Sequence, residues 1–264
     1  MNEFWAIIYG IVQGLTEFLP VSSSGHLALL PLVAKFKDPG LVFDLAMHLG
    51  TALAVSLYFY KDLLRIIKNS FYLILPNKKC DGFTKNFIVA TFATGVFALL
   101  LKDHAESLGR KGSLIAINLI IFGVLLYLAD KWGRIEEKVM EKDSSWKKGL
   151  IIGLLQVLAI FPGVSRSGIT ITGGRILGLS KEESSSFSFL LSLPLIVAGA
   201  LLKFKDISEF GIKFDYGLSF IGISVSFLTG FVTIHFFLKM LKRIEFSYFM
   251  IYRIILGIAV IAIL

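Results

Sequence analysis

The sequence has a single cysteine, Cys80, so it can form neither an intramolecular disulfide nor a cysteine metal cluster. Charge is also scarce: 17% of the 264 residues are charged, against roughly 25% in soluble domains. Apolar length takes its place, with 55% hydrophobic residues and a mean hydropathy of +0.77. Apolar runs at 41–60, 86–101, 113–129, 184–202, 216–238 and 247–264 approach the ~20 residues that cross a bilayer. These features predict an all-α polytopic membrane protein, one integral domain over 1–264 with about six transmembrane helices. The N-terminus lacks the basic region of a cleavable signal peptide and is expected to stay in the mature chain.

A net charge of +8 does not imply nucleic acid here, because juxtamembrane Lys and Arg set the orientation of a polytopic protein. The segments 61–85 (Lys61, Arg65, Lys68, Lys78, Lys79, Lys85) and 131–148 (Lys131, Arg134, Lys138, Lys142, Lys147, Lys148) are rich in basic residues, and 239–246 follows. The intervening loops, with Lys102, Arg110 and Lys111 in one and including Lys205 and Lys213 in the other, are poorer. This alternation predicts that residues before Leu41 and the C-terminus lie outside, against the pull of Lys35 and Lys37.

A shift of 143 residues lays 10–25 over 153–168 without a gap and matches eight of sixteen positions. Biased composition alone would match about one or two. The matches include Gln13 with Gln156, Ser22 with Ser165, and Ser24 with Ser167. Three predicted spans separate the copies, so the second enters from the opposite face, as in an inverted-topology repeat (about 1–110 and 150–264). Each copy is a short apolar stretch broken by Pro20 or Pro162 and then a serine-rich turn. Such segments are too short to span and read as two re-entrant helical hairpins whose turns meet near the midplane.

The copies differ where chemistry would sit. Glu17 pairs with Ile160, Ser23 with Arg166 and His26 with Ile169. One copy therefore supplies acid, hydroxyl and imidazole, and the other a guanidinium. Arg166, flanked by Ser165 and Ser167 and followed by Thr170, suits phosphate oxygens. Ser23 as nucleophile, His26 managing its proton and Glu17 orienting His26 or holding a divalent metal fit phosphoryl chemistry. Attack by water or by His26 itself stays open at this level. Asp44 and His48, at i and i+4, read first as a polar interhelical contact, and His104 and His235 receive no role.

These motifs resemble the undecaprenyl-diphosphatase family of the bacitracin-resistance type. QGLTEFLPVSSSGH at 13–26 is similar to its first signature and PGVSRSG at 162–168 to its second. The resemblance implies hydrolysis of undecaprenyl diphosphate to undecaprenyl phosphate and inorganic phosphate, recycling the lipid carrier for cell-wall synthesis. It implies catalytic roles for Glu17, Ser23, His26 and Arg166, and substrate binding by Gln13, Ser22, Ser24, Ser165, Ser167 and Thr170. It also implies a magnesium or calcium ion at Glu17, a homodimer, and a bacterial plasma membrane with the site facing outward. Gln13 departs from members with Glu at that position, which weakens any metal site there. A rival of another class is a transporter or flippase of an anionic isoprenoid lipid, since broken helices meeting at the midplane also build carriers. Carriage needs no nucleophile and base, and the grouping of Ser23, His26 and Glu17 favours an enzyme.

Overall fold

The side chains of Asn2, Ser22, Ser165 and Asp215 each cap the start of a helix by accepting a backbone N–H of its first turn. In chain order the helices are α1 (Glu3–Thr16), α2 (Ser23–Ala34), α3 (Leu41–Tyr58), α4 (Tyr60–Ser70), α5 (Gly82–Leu108), α6 (Gly112–Trp132), α7 (Lys147–Val157), α8 (Arg166–Ile176), α9 (Lys181–Phe210), α10 (Tyr216–Met240) and α11 (Ser247–Ile263). This computed structural model describes residues 2–36, 38–75, 78–108, 111–133, 140, 145–210 and 215–263, and among them there is no strand. Lys37, Arg110, Arg134, Lys138, Lys142 and Lys213 of the topology count lie outside the described residues.

The protein is an all-α polytopic membrane protein. Spans within α5, α6, α9 and α10 are long and apolar enough to cross a bilayer by themselves. The predicted span at 41–60 instead breaks after Tyr58, and α4 leaves α3 at 82°. Lys61, Asp62, Arg65 and Lys68 on α4, with Ile66 buried, suit a helix lying along the bilayer surface. The sixth predicted span, α11, is apolar but only 17 residues long.

The pair α1–α2 and the pair α7–α8 are each built of helices too short to span. α1 lies against α10, and α7 against α5; α8 also meets α6 and α9, while α3 meets both α9 and α10. Close backbone approach makes this possible. A Cβ placed on Gly14 of α1 would lie 2.6 Å from Thr229 Cβ and 2.8 Å from Gly230 N of α10. Small residues at such interfaces are what membrane helices use to bring backbones together. Gly14→Val should therefore destabilise the fold by about 1–3 kcal/mol or more, seen as a lower thermal midpoint in detergent; an unchanged midpoint would show that α1 can move off α10 freely.

Behind the hairpins the core is aromatic. Phe18 is fully buried edge-on to Phe189 at 5.1 Å between ring centroids, and Phe189 continues to Phe237. Phe18 follows Glu17 directly, so this packing anchors the residue on which the site is centred.

Candidate active site

The two hairpins end in turns of the same local design. Ser22 caps α2 and Ser165 caps α8, with φ of 73° and 72°, the left-handed region that non-glycine residues rarely enter. Each serine Oγ accepts the N–H three residues on, from Gly25 at 3.3 Å and Gly168 at 3.1 Å. The strain is held because the cap bond and the surrounding packing over-determine it. Each turn thus opens onto a helix start whose first N–H groups have no partner within the helix and favour an anion.

Glu17 joins the turns. Its Oε1 accepts from Arg166 Nη2 at 2.6 Å, so the carboxylate of one hairpin grips the guanidinium of the other. Its Oε2 accepts from Ser23 Oγ at 2.6 Å and from Gln13 Nε2 at 2.9 Å, and lies 3.4 Å from His48 Nε2. The carboxylate is only 6% exposed. Arg166 is steadied from behind, since its Nη1 donates to Ser188 O at 2.8 Å and the Ser188 hydroxyl meets that of Thr170 at 2.6 Å. Ser167 Oγ donates across to Leu19 O at 3.1 Å, a second tie between the hairpins.

Burial divides the residues named from sequence. Gln13, Ser22, Ser165, Ser167 and Thr170 are buried and held by internal hydrogen bonds or caps, so they shape the site from behind. Ser23, Ser24, His26 and Arg166 retain exposed surface. Ser24 opens onto a cavity of about 190 Å³ between α2, α3 and the second hairpin, lined also by Leu27, Asp44, His48, Ile160 and Pro162.

His26 is not placed as the sequence reading expected. Its Nδ1 lies 2.8 Å from Ser22 O and its Nε2 2.6 Å from Tyr252 OH, so its nitrogens meet neither Ser23 nor Glu17. A carbonyl at Nδ1 requires the proton there, which leaves Nε2 to accept from the tyrosine hydroxyl. The base within reach of Ser23 is Glu17 instead. The imidazole beside Glu17 is that of His48, held by Nδ1–H donation to Asp44 O at 2.7 Å. No sequence motif points to Tyr252 or its neighbour Arg253. Arg253 is a charged residue inside the last apolar run, and an ionisable group at membrane depth signals function by default.

A divalent cation fits this donor set poorly. No group of three or more His, Cys, Asp or Glu side chains among the described residues is placed to hold a metal ion. Glu17 already holds a guanidinium, and magnesium and calcium need several oxygen ligands.

The profile of the bacitracin resistance protein BacA family matches residues 6–259. The chain belongs to the BacA family. A relative from Alcanivorax borkumensis, named undecaprenyl-diphosphatase, is 40% identical over 261 residues, 98% of this chain and 98% of its own. The BacA match spans both hairpins, so Glu17 and Arg166, 149 residues apart, belong to one family unit and meet in one cluster.

Proposed function

We propose that this protein hydrolyses undecaprenyl diphosphate to undecaprenyl phosphate and inorganic phosphate, as a multi-pass membrane phosphatase. The observation that carries the mechanism is Glu17 holding the Ser23 hydroxyl and the Arg166 guanidinium on its two oxygens, 2.6 Å from each. BacA membership and the named relative supply the substrate class. When the diphosphate arrives, Arg166 moves its fork from the carboxylate to the terminal phosphoryl oxygens, a geometry guanidinium matches well. Glu17, released from that cation, becomes more basic and takes the Ser23 proton. Ser23 Oγ forms a bond to the terminal phosphorus as the bridging P–O bond breaks and undecaprenyl phosphate leaves. Glu17 passes the Ser23 proton to the solvent, and water then attacks the phosphoserine as Glu17 takes its proton. The P–Oγ bond breaks with Glu17 returning the proton to Ser23 Oγ, and inorganic phosphate departs. Amides at the two helix starts face the developing charge.

The cavity beside Ser24, with Leu27 and Ile160 among its apolar walls, suits the first part of the isoprenoid tail next to the headgroup. A divalent cation, magnesium or calcium, would enter on the diphosphate oxygens, since magnesium keeps few protein ligands and favours substrate phosphates. The two halves of the chain are read as an inverted repeat and the protein as a homodimer. The loop charges support an orientation in which the first hairpin enters from the outer side, and the BacA match supports a bacterial plasma-membrane setting. Phosphate release from undecaprenyl diphosphate by detergent-purified protein, with and without chelator, tests this reading. Release is expected, falling with chelator and recovering with excess magnesium or calcium. Folded protein that releases no phosphate with either ion would move the assignment to a lipid carrier.

A further inference from the structure

Arg253 stands within α11, an apolar helix, and its side chain is fully buried. Among the described residues no carboxylate reaches it. Its guanidinium donates to five backbone carbonyls. Nε meets Leu119 O at 3.0 Å, Nη1 meets Pro20 O at 3.2 Å, and Nη2 meets Asn118 O at 3.3 Å, Gly163 O at 2.9 Å and Val164 O at 2.9 Å. Taking an ion out of water is strongly unfavourable unless its protons are satisfied. Packing α11 on α6 would need no charge at all, so the location of the acceptors is informative.

Three of the five carbonyls lie just before the strained serines. Pro20 is two residues ahead of Ser22, and Gly163 and Val164 immediately precede Ser165. One side chain therefore holds the approach to both turns, which come from opposite ends of the sequence. Because a peptide unit is planar and trans, each carbonyl aimed at Arg253 directs the next N–H the other way. For Val164 that N–H belongs to Ser165, the cap of α8. The guanidinium also presses on the first turn of α8, since a Cβ on Gly168 would lie 2.9 Å from Nη1. Tyr252, the preceding residue, bonds His26 Nε2 at 2.6 Å in the first turn of α2.

We propose that Arg253 is a positioning residue for diphosphate binding: by collecting the carbonyls of Pro20, Gly163 and Val164 it sets the spacing and facing of the two serine turns. The proposal rests on the reading that these turns hold the diphosphate, and it needs no turnover to be tested. Inorganic pyrophosphate is the probe, titrated calorimetrically into the full-length protein in detergent beside Arg253→Lys, with thermal midpoints and steady-state kinetics on both. Lys keeps the charge but lacks the fork that reaches both turns. Arg253→Lys is expected to keep its midpoint within about 3 °C while pyrophosphate affinity falls, and KM rises, by about tenfold. Should the Lys variant fail to fold, Arg253→Gln keeps a planar amide donor that can serve only one turn, and it should lower pyrophosphate affinity in the same direction. Parent-like pyrophosphate affinity in the folded variant would overturn the proposal, as would a lowered midpoint with KM unchanged, the signature of a purely structural role. Parent protein that binds pyrophosphate yet releases no phosphate from the lipid would sink the hydrolase reading, and the affinity comparison would still decide Arg253.

Discussion

Ser23→Ala should lower kcat for phosphate release by about 10⁴-fold or more, with the protein still folded and still binding pyrophosphate. The expectation follows from which hydroxyl has a base. Of the five serines in the two turns, Ser22 and Ser165 are caps, Ser167 donates to Leu19 O, Ser24 lies 3.3 Å from the Ser22 hydroxyl, and Ser23 alone donates to a carboxylate, at 2.6 Å. The hydrogen bond from Ser23 to Glu17 is already formed, so once Arg166 leaves the carboxylate the proton can pass with no further movement of either group. The Ser23 side chain is only partly buried, so a phosphoryl group can reach it. Rapid quench followed by peptide mass analysis should trap phosphate on Ser23 in the parent and none in the variant. A fall of less than about tenfold would show that water attacks directly under Glu17 and that Ser23 only positions it.

The hairpins were legible in the sequence because their signals are local. Pro20 and Pro162 break short apolar stretches, and the repeat aligns the serine turns residue by residue. The alignment also put Glu17 and Arg166 on different copies of one scaffold, and they meet at 2.6 Å. What sequence reading assigned otherwise depends on contacts that no local pattern encodes. Proximity in the chain pairs His26 with Ser23, yet once Ser23 opens α2 its hydroxyl turns back to Glu17 while the imidazole is held by the Ser22 carbonyl on one side and a distant partner on the other. His26 finds Tyr252, 226 residues on. His48 was read as a helix contact because its visible partner was Asp44 one turn away. The bond to Asp44 lies within α3, through the Asp44 carbonyl, and it aims the other nitrogen at Glu17. The direction of α4 is hidden for a different reason: hydropathy registers how apolar a stretch is and not where its helix points, and Lys61, Asp62, Arg65 and Lys68 mark where the apolar run stops without showing that the chain turns by 82° there.

Arg166→Ala should cost about 10³-fold in turnover, on the scale of removing a charge-stabilising donor from a preorganised site. It should also destabilise the protein, and the two losses have separable causes. With the guanidinium gone, Glu17 is left buried without its 2.6 Å cation partner, holding only Ser23, Gln13 and the more distant His48, and breaking a buried pair from one side typically costs about 3–5 kcal/mol. Neutralising the survivor removes that penalty, so Glu17→Gln/Arg166→Ala should melt higher than Arg166→Ala alone. Turnover should behave in the opposite way. The double variant gains nothing back, because Glu17→Gln removes the base for Ser23, and its total loss should be less than the product of the two single losses, as for residues that act as a unit. A double variant no more stable than Arg166→Ala would mean that the carboxylate takes up a proton or a new partner when Arg166 is gone. Fully additive losses in turnover would mean that the base and the clamp act independently, against the exchange of Arg166 from Glu17 to phosphate on which the mechanism depends.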